Sequence, residues 1–349
     1  MQIKDWGEDH LIDWVKTHFP PPPHHIGIGD DCAVLPHTEH TSLLWTTDAL
    51  VEGIHFLRTT IDPYELGIKS IAVNVSDLAA MGGTAHSALL SLALPATLPQ
   101  SWVTSFLSGV QKGCQSYSLF LLGGDTVGSL HDILINISML GSASTVHLKF
   151  RHHGQPGDWI CVTGTIGDSA AGLKLLQSGA SEALDPVQRS LIDRHRLPRA
   201  HQAEGIWLGQ QPHVHAMMDL SDGLHLDLQK MLAASHCGAE IELTALPVST
   251  ELVAVAQRHD WDCEQLAVSG GEDYVLLCSV APDAFEELDA TYKSIFSTPL
   301  YKIGKLTDRP GQLTYQRLGS RASLRLDLFD HFKNPAPDSD DGAESPDAL

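Results

Sequence analysis

The sequence predicts two domains, an α/β unit followed by an α+β unit. Three observations carry this. The chain has 349 residues, roughly the material of two domains. Short apolar runs alternate along it with stretches of helical spacing, which favours mixed layers over a bundle or a sandwich. A turn-rich seam, Gly154 through Asp158, divides it near the middle. The expected domains are 1–150 and 151–332. The remaining stretch, 333–349, is Pro, Asp, Ser and Gly and is expected to be a disordered acidic tail.

Each element has its own signal. Leu11, Ile12, Val15 and Phe19 recur at helical spacing from Glu8 onward, and Pro20 to Pro23 stop that helix. Apolar runs predict strands at Leu43–Thr46, Ala88–Leu94, Leu119–Leu122 and Ile133–Leu140, with helices at Pro63–Met81 and Ser101–Ser116. Beyond the seam, strands are expected at Trp159–Thr163, Val214–Met218, Ala239–Leu243 and Tyr274–Val280. Helices are expected at Ser169–Gln177, Pro186–His195, Arg199–Leu208 and Ser221–Ala234.

Composition narrows the function. Asp and Glu number 43 against 22 Lys and Arg, a formal charge of -21. Such a surface repels nucleic acid and anionic membranes, so neither is expected as a partner. The six cysteines, 32, 114, 161, 237, 263 and 278, have no metal-site spacing and read as reduced core thiols. The acidic start lacks an apolar signal region, and Ser87–Leu98 is too short to span a bilayer and is cut by Pro95. A cytoplasmic protein is expected.

The informative feature is where the acids fall. Gly27–Asp31, Thr46–Asp48, Gly123–Thr126 and Asp219–Gly223 share a pattern of apolar run, then glycine or hydroxyl, then Asp. Strand ends of this kind carry ligand groups in open sheets. Carboxylates with hydroxyls alongside form a hard oxygen set suited to Mg²⁺. Each acid alone reads equally as a turn or a helix cap. Asp77 differs: it lies inside the predicted helix Pro63–Met81, on a face with Gly67, Ser70 and Asn74, opposite Leu66, Ile71, Val75 and Leu78. A helix buried on two sides tolerates a carboxylate only when it is paired or metal-bound.

The familiar phosphate loops are absent. Gly167 to Lys174 has the wrong spacing for a G-x-x-x-x-G-K-[ST] loop and no hydroxyl after the lysine. Gly164–Ser169 before a helix offers an anion site or a plain packing turn. If the chain handles a nucleotide, five acids around one cleft would add about −5, a nucleoside triphosphate about −4 and a substrate phosphate nearly −2. Such a site needs on the order of three to five Mg²⁺ during turnover.

At these residues the chain resembles the thiamine-monophosphate kinase family, from Gly7 to about Phe332. The carrying strings are GIGDDCAVL (27–35), TTDALVEGIHF (46–56), VNVSDLAAMG (73–82), LGGDT (122–126), PGDW (156–159), VTG (162–164) with GDSAAGL (167–173), DLSDGL (219–224) and SGGEDY (269–274). The resemblance implies the aminoimidazole ribonucleotide synthetase-like fold and a homodimer formed through the N-terminal sheet. It implies Mg²⁺ ligands at Asp30, Asp31, Thr46, Thr47, Asp48, Asp77, Asp125, Asp219 and Asp222. ATP contacts are implied at Gly124, Asp125, Arg151, Ser221 and Tyr117, and thiamine-phosphate contacts at His55, Glu272 and Phe329. Val127 and Ala49 depart from the family pattern and bear on nucleotide contacts, not on the metal set.

The implied reaction converts ATP and thiamine monophosphate to ADP and thiamine diphosphate. A phosphate monoester has a second pKa near 6, so its attacking oxygen is largely ionised at neutral pH. No acid or base residue is required, and alignment with metal-assisted neutralisation would suffice. Related enzymes such as selenophosphate synthetase or the hydrogenase maturation dehydratase would want a cysteine in a glycine-rich N-terminal loop or at the C-terminus. A regulatory scaffold would be expected to have lost acids from the set, and here the set is complete.

Overall fold

The computed structural model describes residues 3–179 and 185–328. Phe329 and the acidic tail 333–349 therefore lie outside the described residues.

Two helices open the chain, α1 (Ile3–Trp6) and α2 (Glu8–His18). The first sheet follows with β1 (Ala33–Pro36), β2 (Thr41–Val51), α3 (Pro63–Ala80), β3 (Thr84–Pro95), α4 (Gln100–Ser116), β4 (Phe120–Ser129) and β5 (Leu134–Ser144). Its order is β1-β2-β5-β3-β4, antiparallel except for the parallel β3–β4 pair, which α4 connects. A parallel pair needs a crossover, and α4 supplies it.

α3 is the element that positions everything else. Asp62 caps it: its carboxylate accepts from Tyr64 N–H at 2.8 Å, and Glu65 reaches back to Asp62 N–H. Pro63 occupies the first turn, where its missing donor costs nothing. The helix packs Leu66, Ile71, Val75 and Leu78 into the core beneath the first sheet. Its last turn, Ala79 and Ala80, packs into a second core with Cys161, Leu208 and Val214. α3 is thus enclosed by both halves of the molecule, which is why its polar residues sit at the junction.

The second half comprises β6 (Trp159–Val162), α5 (Asp168–Gln177), α6 (Pro186–Arg196), α7 (Gln202–Gly209), β7 (Val214–Asp219) and α8 (Leu224–Ser235). β8 (Gly238–Glu242), α9 (Thr250–His259), α10 (Cys263–Ser269), β9 (Leu276–Val280), α11 (Phe285–Phe296), β10 (Tyr301–Thr307), β11 (Leu313–Arg317) and β12 (Ser320–Ala322) complete it. These strands form one sheet in the order β12-β11-β8-β10-β6-β9-β7. The two sheets bear out the α/β plus α+β expectation.

Several expectations are corrected. β2 and β4 run on through Val51 and Ser129, so Thr46–Asp48 and Gly123–Asp125 lie within strands and not at their ends. Ladder pairing to β5 and β3 carries those polar stretches. Ser221–Gly223 is a turn, because the Asp227 carboxylate accepts from Asp222 and Gly223 N–H at 2.9 and 3.1 Å, so α8 starts only at Leu224. β9 starts at Leu276, because Glu272 and Tyr274 adopt left-handed backbone. Among the described residues no helix is long and apolar enough to cross a membrane. All six cysteines are free thiols, five of them buried.

Candidate active site

Strand and helix periods converge on one cluster. In β2 the alternation turns Thr46 and Asp48 inward, toward α3. Thr46 Oγ1 donates to Asp77 Oδ2, and Asp48 N–H donates to Asn74 Oδ1 at 3.2 Å. One residue before Asp77, Ser76 Oγ donates to Asp219 Oδ2 at 2.6 Å, which ties α3 to the end of β7. Asp30 and Asp31 approach from the bend before β1. Arg151, in the short turn between the two sheets, donates its N–H to Asp30 at 3.2 Å and its guanidinium to Asp31. One carboxylate oxygen each from Asp31, Asp77 and Asp219 lie within 4.8 Å of one another.

The charges are unbalanced. Burial, then Asp31, pushes Asp30 up to about 7. Burial, then Asp222 and Asp31, pushes Asp48 up to about 6. Asp77 and Asp219 are raised well above the carboxylate range, first by burial and then by neighbouring acids. Asp31 Oδ2 is buried without a hydrogen-bond partner. Arg151 lies among them and stays protonated, because Asp31 and Asp30 outweigh its burial. Crowded, ionisable oxygens with an orphan among them fit a hard divalent cation. Asp30, Asp31, Asp48, Asp77 and Asp219 would hold it, with the Thr46 hydroxyl beside them.

The comparisons identify the setting. Residues 29–143 match the AIR synthase related protein N-terminal domain, and residues 155–316 match the C-terminal domain of that family. Thiamine-monophosphate kinase of Haemophilus influenzae is 38% identical over 313 residues, covering 88% of this chain and 92% of its own. That of Escherichia coli strain K12 is 39% identical over 313 residues, covering 89% and 93%. The chain belongs to the thiamine-monophosphate kinase family. A solved structure of AaThiL complexed with AMPPCP and TMP superposes with a TM-score of 0.83 at 33% identity, covering 95% of this chain and 99% of that one.

Within the kinase-family site, other expected residues sit differently. Thr47 faces the opposite side of the sheet, since successive strand residues alternate. Its Oγ1 donates to Ile137 O at 3.1 Å and lies near Asn136 and Ser138. Asp125 lies on that same open side. It pairs with Ser91, which pairs with Asn136, which pairs with Ala49, whereas Asp48 shares the inner row with Ile137 and Leu90. Its carboxylate accepts from Thr126 N–H at 2.9 Å and is exposed. Gly124 is required between them: a Cβ there would come within 1.7 Å of Leu90 O. Asp222 pairs with Lys230, and its charge reaches Asp48. The Tyr117 hydroxyl accepts from Ala200 N–H at 2.9 Å and packs against the first core.

Of the residues expected to contact thiamine phosphate, Glu272 adjoins the acids through backbone. Glu272 N–H donates to Ser221 O at 2.7 Å, and Tyr274 N–H to Leu220 O at 2.9 Å. This clamp needs Gly271, where a Cβ would lie 2.7 Å from Ser221 O. His55 Nδ1 accepts from Val51 N–H at 3.1 Å, and its ring is near enough to act electrostatically on Glu272. At the Gly164–Ser169 turn two backbone donors are already taken, because the Asp273 carboxylate accepts from Gly167 and Ser169 N–H at 2.6 and 3.2 Å. Burial, helped by the neighbouring Asp168, pushes Asp273 up to about 7 against the lowering by these two N–H donors and Arg194. Sequence reading missed Lys69 and His195, and held Ser76 and Tyr274 only within longer strings, without a role. Lys69 had a signal, as the one charged residue from Gly67 to Ser76. His195 had none.

Proposed function

We propose that the chain transfers the terminal phosphoryl group of ATP to thiamine monophosphate, giving ADP and thiamine diphosphate by direct in-line displacement. The convergence of Asp31, Asp77 and Asp219 oxygens within 4.8 Å is the observation that supports it. The relatives named above carry this activity in their names, and AaThiL was solved with AMPPCP and TMP.

Within this reading, Asp30, Asp31, Asp48, Asp77 and Asp219 hold on the order of three to five Mg²⁺, with Thr46 alongside. Bound Mg²⁺ would neutralise the two phosphate groups that otherwise repel each other. Arg151, which pairs with Asp31, would be the side chain to steady an ATP phosphate when the acids hold cations. Gly124, Asp125, Ser221 and Tyr117 are the proposed nucleotide contacts. His55 and Glu272 are the proposed thiamine-phosphate contacts; Phe329, expected with them, lies outside the described residues. No side chain acts as acid or base, since the accepting phosphate oxygen is already ionised at neutral pH.

The proposal includes a homodimer working in the cytoplasm, with residues 1–150 as the ATP, Mg²⁺ and dimerisation domain. Trp45, Leu89, Phe120 and Val127 are exposed by 48–71% on the open side of the first sheet. Their rows run through Leu140, Ser138 and Leu134, and the polar row of Asp125, Ser91 and Asn136 lies between those of Leu89 and Val127. Faces of this kind mark association surfaces, and a second copy supplies a matching one.

Incubation with ATP, Mg²⁺ and thiamine monophosphate tests the reaction, with thiamine diphosphate read by fluorescence after oxidation. The expected result is stoichiometric ADP and thiamine diphosphate. ADP release without thiamine diphosphate would overturn the acceptor.

A further inference from the structure

Glu272 is a carboxylate held from behind. Its φ is 64°, a left-handed conformation that a non-glycine residue adopts only under constraint. The backbone clamp to Ser221 is one part of that constraint. The other comes from across the junction. Lys69 Nζ, on α3, lies 2.9 Å from Glu272 Oε1, and His195 Nδ1, on α6, lies 3.2 Å from Oε2. The Lys69 side chain is 2% exposed, and its ammonium also donates to the His195 carbonyl at 3.2 Å. Ser169 Oγ lies 3.1 Å from His195 Nδ1 and fixes the ring.

A lysine enclosed in an apolar helix is costly, and an aliphatic residue would fill the same space. What the lysine adds is a fixed, ionised carboxylate. Lys69 and His195 grip one carboxylate oxygen each, and Glu272 still keeps 24% of its side chain exposed. Each carboxylate oxygen can accept a second hydrogen bond there.

We propose that Lys69 and His195 are positioning residues for substrate selection, holding the Glu272 carboxylate so that it accepts from an amino-bearing heteroaromatic ring. This rests on the kinase reading above. Thiamine monophosphate carries such a donor, the exocyclic amine of its pyrimidine; the analogue with oxygen at that carbon does not. A site built to accept an N–H discriminates strongly against a ligand lacking it. A first-half helix therefore sets selectivity through a residue of the second half.

The test compares kcat and KM for thiamine monophosphate, its 4-oxo analogue and ATP in wild type, Lys69→Met, His195→Asn and Glu272→Gln. The preference for thiamine monophosphate over the 4-oxo analogue, as a ratio of kcat/KM, is expected to fall at least about tenfold in Lys69→Met and in Glu272→Gln. KM for thiamine monophosphate is expected to rise while KM for ATP moves less than about threefold. Lys69→Met/Glu272→Gln is expected to be no less selective than Glu272→Gln alone, because both act through one carboxylate. An unchanged ratio with kcat and both KM values degraded together would overturn the proposal. So would additive losses in the double variant. If Lys69→Met does not fold, His195→Asn carries the same comparison. A wild type that makes no thiamine diphosphate sinks the kinase reading itself, a different outcome from an active enzyme whose variants keep their selectivity.

Discussion

Ser76 Oγ donates to Asp219 Oδ2 at 2.6 Å, both groups buried, and so joins helix α3 of the first half to strand β7 of the second. The acid that β7 contributes is thereby aimed by a residue adjacent to the acid that α3 contributes. Ser76→Ala removes the donor and leaves the Asp219 oxygen free to turn. The expected loss is about tenfold in kcat/KM, the equivalent of about 1.4 kcal/mol for a hydrogen bond to a charged group. Steady-state kinetics at saturating Mg²⁺ check it.

Asp77→Asn and Asp219→Asn are expected to lower turnover at least about a hundredfold while raising thermal stability without Mg²⁺. The physical reason is the same for both outcomes. These carboxylates are buried beside other acids, so neutralising one relieves repulsion and also removes a cation ligand. Melting curves with and without Mg²⁺ decide the matter. The wild type gains stability from Mg²⁺, and the variants gain less.

Stability without metal has a signed pH dependence. Asp30 and Asp48 titrate in the folded protein at about 7 and 6, above their unfolded values near 4. The folded state therefore binds more protons between pH 7 and 4, and this contribution to stability rises as pH falls through that window. Mg²⁺ needs the ionised forms, so its stabilising effect is expected to shrink over the same range. Melts in chelator and in Mg²⁺ at pH 7.5 and 5.5 give the comparison. A Mg²⁺ effect that grows on acidification would contradict it.

His201 acts in the opposite sense. Burial first, then Arg199, lowers it to about 4, and its Nδ1 lies 2.8 Å from Thr163 Oγ1. The unfolded chain binds this proton near pH 6.5, so stability is lost as pH falls from about 6.5 to 4. The cost of keeping the ring neutral is about 2 kcal/mol at pH 5. His201→Asn is expected to flatten the acid limb by that amount in denaturant titrations at pH 7 and 5, whatever its effect at pH 7.

Charge on the open sheet face is expected to break the proposed dimer. Phe120 is 71% exposed on edge strand β4, in the same row as Ser87, Leu140 and Trp45. Phe120→Lys places a charge where a second copy would pack, and sedimentation is expected to shift from dimer to monomer. Activity is expected to fall as well, because Asp125 lies on that face.

The sequence made the acids legible because repetition was visible along the chain, and it made α3 legible because capping and apolar spacing agree there. It was silent about sidedness. Thr47 and Asp125 carry the same local signature as Thr46 and Asp48, yet pleating sends them to the opposite face once β2 and β4 run on beyond the expected ends. Register depends on pairing partners, and no single segment encodes its partner. The second half was harder still. α9, α10, α11 and β10 to β12 went unread, as did β1 in the first half, because short elements with mixed faces give weak periodicity. Lys69, His195 and Glu272 meet across separations of 126 and 77 positions, and Lys69 joins the other two only through docking of the two halves.

Cation stoichiometry tests the central claim most directly. Equilibrium titration of Mg²⁺ into the protein with thiamine monophosphate and a non-transferable ATP analogue is expected to give on the order of three to five ions per subunit. Asp219→Asn is expected to bind at least one fewer. One ion or none in the wild type, with turnover intact, would contradict the account.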